Sequence, residues 1–175
     1  MFAKQVPLAR ALPMWGGISA DGFREVTWHA TKKISVEEWV RAVEAGKLTK
    51  ALKALNPGRG RGSWSVLCDN EGFLRATAST AAHRDARVSL WQIPPKSPDL
   101  NPIEQFWSWL RRRLRAVELQ DLAARRPALS KAAYQQRVRR ICRSAAAQRA
   151  ASAIAQNFRR TCQEVVRKRG AAARG

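Results

Sequence analysis

Four prolines between residues 94 and 102 constrain this chain more than any other feature of its sequence. Proline fixes φ and removes a backbone N–H, so neither a central strand nor a helix interior runs through this segment. Proline is favoured at the first position of a helix, and Asn101 before Pro102 is a good N-cap. Apolar side chains then recur at helical spacing, at Ile103, Phe106, Trp107, Leu110, Leu114 and Val117. The segment therefore predicts the end of a strand and the start of a long amphipathic helix.

The residues before this break alternate between strand and helix signals. Asp21-Gly22 between two β-prone runs predicts a hairpin with strands near 13–19 and 23–29. Ser35 and Glu38 form a capping-box pattern, and Gly46 weakens the middle of the helix that follows. We expect a buried strand over 64–68, a short helix over 73–85 and a strand over 88–93. This order predicts an α/β fold, with a mixed sheet and covering helices.

The length and the apolar pattern limit the class of protein. With 175 residues the chain is long enough for one domain. No apolar run approaches the roughly 18 residues of a membrane span, and the first residues make a poor signal peptide. Cys68, Cys142 and Cys162 are odd in number and widely spaced, which predicts neither a disulfide framework nor a zinc site. We expect no membrane partner, and a reducing compartment: the nucleus in a eukaryote, the cytoplasm otherwise.

The formal charge of +20 is concentrated in one part of the chain. Residues 1–104 carry 15 Lys and Arg against 10 Asp and Glu, whereas residues 105–175 carry 18 against 3. Such asymmetry favours a polyanion as partner, most often nucleic acid. The alternative is a GC-rich coding sequence that over-uses Ala, Arg and Gly, so that the arginines only make a helical bundle soluble.

Two acids stand at positions suited to chemistry. Asp69 follows a predicted buried strand, where open α/β sheets place their ligands, and Glu104 falls in the first turn of the helix after the prolines. Carboxylates from a strand end and a nearby helix can share a divalent cation such as Mg²⁺. Each acid also has a structural interpretation: Asp69 as a turn-capping residue, and Glu104 as the partner of Asn101 in a capping box. The spacing alone leaves both interpretations open.

Three motifs together resemble one known family. They are WGGIS-ADG over 15–22, Asp69-Asn70, and PPKSPDLNPIEQFW over 94–107, in that order. They resemble the DDE transposases of the mariner superfamily, and the resemblance covers about residues 13–117. It implies a ribonuclease H-like fold, DNA as partner, and cleavage and joining of DNA with Mg²⁺ or Mn²⁺ as cofactor. Asp69 matches the second acid of the family and Glu104 the third, as catalytic and metal-binding residues.

The chain also departs from this family pattern. The first acid of the family lies on a strand upstream of Trp15, but residues 1–14 contain no acid. A His usually follows the Asp-Asn pair, whereas Glu71 and Gly72 stand here and His83 is distant. We therefore expect an incomplete, catalytically impaired domain over 13–117, an irregular segment over 1–12 and a basic helical tail over 118–175. The resemblance leaves a homodimer open.

Seven basic side chains are candidates for contacts with DNA phosphates: Lys96, Arg111, Arg112, Arg113, Arg115, Arg139 and Arg140. Three hypotheses remain at this point. The first is a transposase-derived DNA-binding protein with a partial DDE domain. The second is a non-catalytic nucleic-acid-binding or architectural protein, and the third is a decayed gene product.

Overall fold

The computed structural model of the chain describes residues 14–28, 33–58, 62–95 and 97–168. Lys96, one of the expected phosphate contacts, lies outside these ranges. The described chain contains the strands β1 (Met14–Ser19), β2 (Gly22–Trp28), β3 (Trp64–Cys68) and β4 (Val88–Gln92). Its helices are α1 (Val36–Glu44), α2 (Lys47–Leu55), α3 (Gly72–Arg75), α4 (Thr77–Asp85), α5 (Pro102–Ala123), α6 (Lys131–Arg143) and α7 (Ala145–Arg167), with a 3₁₀ turn over Pro98–Leu100 before α5.

The described strands form two separate pairs. β1 and β2 make an antiparallel hairpin, and β3 and β4 are parallel, with Trp64 opposite Val88. The fold is thus α/β, as expected, but two small sheets replace the single mixed sheet within the described ranges. Side-chain packing joins the two pairs instead of a backbone ladder, because Val26 of β2 shares one apolar cluster with Trp64 and Val88.

The hairpin turn lies one residue earlier than the sequence suggested. Ser19 pairs with Gly22, so Ala20 and Asp21 form the turn. Gly22 has φ +109°, a backbone conformation that favours glycine, and a Cβ there would collide with the Gln148 side chain of α7. The hairpin therefore approaches α7 closely at this point.

The start of α1 confirms the capping box. Ser35 Oγ accepts from the Glu38 backbone N–H at 3.1 Å, and the Glu38 carboxylate accepts from the Ser35 N–H at 3.2 Å. Two short helices follow, as the glycine predicted, because Gly46 adopts φ +71° between α1 and α2. Trp39 of α1 is fully buried and packs against Trp15, with 4.6 Å between the ring centroids.

A second apolar cluster holds the C-terminal helices on the hairpin. It contains Phe23 of β2 together with Phe106, Leu110, Leu114, Val138, Cys142, Ala147 and Ala151 of α5, α6 and α7. Gln148 adds polar links: its Oε1 accepts from the Phe23 N–H at 3.0 Å, and its Nε2 donates to the Cys142 carbonyl at 2.7 Å. Asp121 of α5 also pairs with Arg137 of α6 at 2.6 Å. The basic helices α6 and α7 are therefore packed on the β-hairpin and on α5.

Two of the sequence-based expectations concern thiols and membranes. Cys68, Cys142 and Cys162 are all free. No helix in the described ranges is both long enough and apolar enough to cross a membrane.

Candidate functional site

Asp69 lies directly after β3, at the carboxyl end of the parallel pair. The turn is tied to the neighbouring strand, since Asn70 Nδ2 donates to the Ile93 carbonyl at 2.6 Å. The Ile93 N–H in turn donates to the Cys68 carbonyl at 2.9 Å. Desolvation raises the pKa of the half-buried Asp69 carboxyl above its ordinary value. Asp69 is therefore held at the end of the strand pair, where carboxylates can meet a ligand.

Glu104 lies in the first turn of α5, as predicted. Pro102 begins the helix, but the Asn101 side chain makes no capping hydrogen bond. The capping box of Asn101 and Glu104, the structural alternative for Glu104, is therefore not formed, because its first half is that bond. The positive end of the helix dipole favours an acid at this position. A capping box therefore does not explain why an acid stands at position 104.

Glu71 is a third acid of this region, and no motif in the sequence predicted a role for it. Its pKa is raised to about 7, first by desolvation, then by the charge of Asp69 and less strongly by that of Glu104, while a hydrogen bond with Trp15 lowers it. The charges of the strand-end acid and of the helix acid thus both act on one carboxylate. Glu71 is nevertheless exposed at the surface, where solvent screens these charges. The sequence signal that could have singled out Glu71 is its position directly after Asp69-Asn70, near which the family usually has a His.

The donor set is oxygen-rich but small. Asp69 and Glu104 offer carboxylate oxygens, which Mg²⁺ and Mn²⁺ prefer. Within the ranges that the structure covers, no three His, Cys, Asp or Glu side chains are arranged to hold a metal ion. The two acids therefore fit a divalent cation in chemical type, and fall short of the three family ligands in number.

Two other reactive side chains of this region, Cys68 and His83, are buried in the core. Burial raises the pKa of the Cys68 thiol to about 11, and the charges of Asp69 and Glu71 add to this effect. The thiol is therefore protonated and a poor nucleophile at neutral pH. The buried His83 accepts a hydrogen bond at Nε2 from the Trp39 indole N–H at 2.8 Å. His83 therefore has a structural role in the apolar core between α1 and α4.

The candidate phosphate contacts lie on two helices. Arg111, Arg112, Arg113 and Arg115 are exposed in the middle of α5, beside the buried Leu110 and Leu114. Arg140 is exposed on α6, and Arg139 on the same helix is partly covered by the hairpin. Side chains that reach solvent in this way are available to a polyanion.

The fold and the acids define a class of protein: an α/β domain with one carboxylate directly after a strand and another in the first turn of a helix. The model of the family described as DDE superfamily endonuclease matches residues 11–124. The chain belongs to this family. The matched range ends one residue after α5 and leaves α6 and α7 outside.

A relative among curated proteins agrees with this family. A 55-residue stretch is 42% identical to the protein named Transposable element Tcb1 transposase from Caenorhabditis briggsae. This stretch amounts to 31% of the present chain and spans 20% of the length of that relative.

Proposed function

We propose that this chain is a transposase-derived DNA-binding protein in which Asp69 and Glu104 keep the places of two DDE acids. The observation that carries the proposal is the match of the DDE family over residues 11–124, a range that contains both acids at a strand end and a helix start. The charges of Asp69 and Glu104 both raise the pKa of Glu71, and this effect on one carboxyl supports convergence of the strand end and the start of α5 as a secondary argument. The family match and the transposase name of the relative support DNA as partner.

A ribonuclease H-like arrangement is part of this proposal. The parallel pair β3–β4, an acid after β3 and a helix acid after β4 support it. The hairpin strands do not hydrogen-bond to this pair within the described ranges, so the sheet that carries Asp69 has fewer strands there than a ribonuclease H-like sheet.

Asp69 and Glu104 together bind one Mg²⁺ or Mn²⁺ weakly in this proposal. When bound, such an ion supplies positive charge at a DNA phosphate. DNA cleavage and strand transfer by this chain are impaired, because two carboxylates fall short of the three that support a two-metal centre.

Paramagnetic NMR with Mn²⁺ tests the metal-binding part. Trace Mn²⁺ should broaden the amide signals of Asn70 and Gln105 together, and Asp69→Asn should remove both effects. Asp85→Asn, which removes an exposed carboxylate at the end of α4, is the control and should change nothing. Broadening at only one of the two segments would contradict a shared site.

A nicking assay tests the impairment. Supercoiled plasmid incubated with the protein and Mn²⁺ should stay intact. Nicking that disappears in Asp69→Ala would show that the site is complete and that this part of the proposal is wrong.

A non-catalytic nucleic-acid-binding protein is the second candidate, and the absence of a three-residue metal cluster from the described ranges favours it. Both candidates bind DNA mainly through its backbone. If about 6–10 phosphates are contacted, affinity should fall about 10³–10⁵-fold between 50 and 200 mM salt. Salt-steep DNA binding without any Mn²⁺ effect at Asn70 would decide for the second candidate.

A further inference from the structure

The corner between α6 and α7 contains a shallow cavity, wide open to solvent, of about 510 Å³, lined by Gln136, Arg139, Arg140, Arg143 and Ser144. The four α6 residues stand at helical spacing, so they share one face of the helix. The cavity lies beyond residues 11–124, which the family model covers. It is a concave, arginine-rich surface outside the acid site.

Two of these arginines contact the hairpin, and Arg139 is held by two groups at once. Arg139 and Arg143 both pair with Glu25 of β2, at 3.5 and 3.3 Å. The Arg139 guanidinium also lies over the Trp28 ring, 5.1 Å from its centroid, while the Trp28 indole N–H donates to Glu25 at 2.9 Å. Side chains held in this way lose less conformational entropy when they bind a ligand.

The charges at the cavity leave room for an anion. Three arginines line the cavity, and two of them, Arg139 and Arg143, pair with one carboxylate, that of Glu25. Arg139 Nε is buried and makes no hydrogen bond within the described residues, so charge alone holds it near Glu25. Arg140 is exposed. The site keeps a net positive charge after its internal ion pairs are formed.

The start of α7 adds to the same corner. Ser144 caps this helix through the Ala147 N–H at 3.2 Å, and α7 is 23 residues long. The first backbone N–H groups of a helix point outward and favour anions. Guanidinium groups with several donors beside such N–H groups match the oxygens of a phosphate.

We infer that this corner is a binding site for backbone phosphates of DNA, formed by Arg139, Arg140 and Arg143 at the start of α7. The inference rests on the proposed function, and it names which part of the basic surface holds the DNA. It further implies that the hairpin of the DDE domain positions a phosphate site on helices outside that domain, through Glu25 and Trp28.

The test measures binding of a fluorescent duplex of about 20 base pairs, in about 100 mM salt and across a salt series. Arg140→Ala with Arg143→Ala should weaken binding about tenfold or more and reduce the salt slope by about 2, since each lost phosphate contact removes about 0.9. Lys50→Ala with Lys53→Ala removes the same charge from the exposed side of α2 and should weaken binding less than about threefold. Alanine is a strong helix former, so both variants should keep their helices, which circular dichroism checks.

A second pair of changes separates geometry from charge. Arg140→Lys with Arg143→Lys keeps the charge but loses the bidentate donors, so it should restore only part of the affinity. The arginine Nε–H NMR signals of the cavity should shift with duplex. If inorganic phosphate instead saturates these shifts while the alanine variant keeps its duplex affinity, the site binds free phosphate and the assignment to DNA is overturned.

The failure of this inference differs from the failure of the proposed function. If the wild-type protein does not bind the duplex at any salt concentration, both the inference and the proposed function are wrong. Salt-steep binding that the α6 and α2 variants weaken equally would overturn the inference and leave the proposed function standing.

Discussion

Gln148 offers the sharpest test of how the basic helices are attached to the rest of the fold. Its side chain makes three hydrogen bonds: Oε1 accepts from the Phe23 N–H at 3.0 Å and from the Arg24 guanidinium at 2.9 Å, and Nε2 donates to the Cys142 carbonyl at 2.7 Å. Gln148→Ala removes all three at once. It therefore loosens α7 from both the hairpin and α6.

The expected loss of stability follows from these bonds. A hydrogen bond contributes about 0.5–1.5 kcal/mol net, so three contribute about 1.5–4.5 kcal/mol. Gln148 is only half-buried, and water can replace part of what is lost, so we expect about 1.5–3 kcal/mol. At about 2–4 °C per kcal/mol for a chain of this size, the Tm should fall by about 3–12 °C.

Urea denaturation and thermal melting measure this loss, with Gln156→Ala as the matched control. Gln156 is on the same helix, but it is exposed and bonds only to the Ser152 hydroxyl, at 3.1 Å. Both changes carry the same gain in helix propensity, which therefore cancels in the comparison. Equal unfolding midpoints for the two variants would refute the view that α7 is an integral part of the fold.

Three further predictions concern the rest of the chain. Ser35→Ala should cost about 1 kcal/mol in urea denaturation by removing half of the capping box, whereas the exposed Ser65→Ala should cost much less. Burial lowers the pKa of His83, so as the pH falls the unfolded state takes up the proton before the folded state does. The stability advantage of wild type over His83→Gln should therefore be complete above pH 6.5 and shrink as the pH falls below it. An advantage that does not change with pH would contradict this. Glu71 has a raised pKa of about 7, so its ionisation opposes folding, although solvent screening at this exposed side chain keeps the effect small. Glu71→Gln should therefore be slightly more stable than wild type at pH 8, and this gain should disappear as the pH falls from about 7 to 4.5, which denaturation at several pH values checks.

Local signals predicted the elements that local chemistry determines. The capping box at Ser35, the break at Gly46 and the helix start at Pro102 are all present in the structure. Each depends on residues within one turn of the feature. The interval 73–85 was different, because Ala76 is extended, with ψ 145°, and divides it into α3 and α4. Neither Gly nor Pro marks that position, so the sequence carried no signal for the break.

The packing of the C-terminal helices could not be predicted from apolar periodicity. α7 contacts the rest of the fold through Ala147 and Ala151, which are completely buried, and through Gln148. Alanine in an Ala-rich segment gives little contrast between a buried and an exposed face. The helices themselves were expected, but their attachment to the β-hairpin depends on contacts between distant residues.

The sequence predicted two acids of the candidate site and missed the third. Asp69 and Glu104 were placed by the end of a strand and the start of a helix, and both elements are confirmed. Glu71 gains its place only from the fold, since the effect of Glu104 on its pKa joins residues that are far apart in sequence. Sequence spacing carries no information on such an electrostatic effect between distant residues.

The pKa of Glu71 in solution tests the convergence of these acids most directly. Carbon-detected NMR of its carboxyl group across a pH series should give a pKa of about 7 in the wild-type protein. Asp69→Asn and Glu104→Gln should each lower this pKa, with the larger effect from Asp69, and the surface change Asp85→Asn should leave it unchanged. If Glu104→Gln leaves the pKa of Glu71 where it was, the strand-end acid and the helix acid do not share a site, and the account of this chain as a partial DDE centre is wrong.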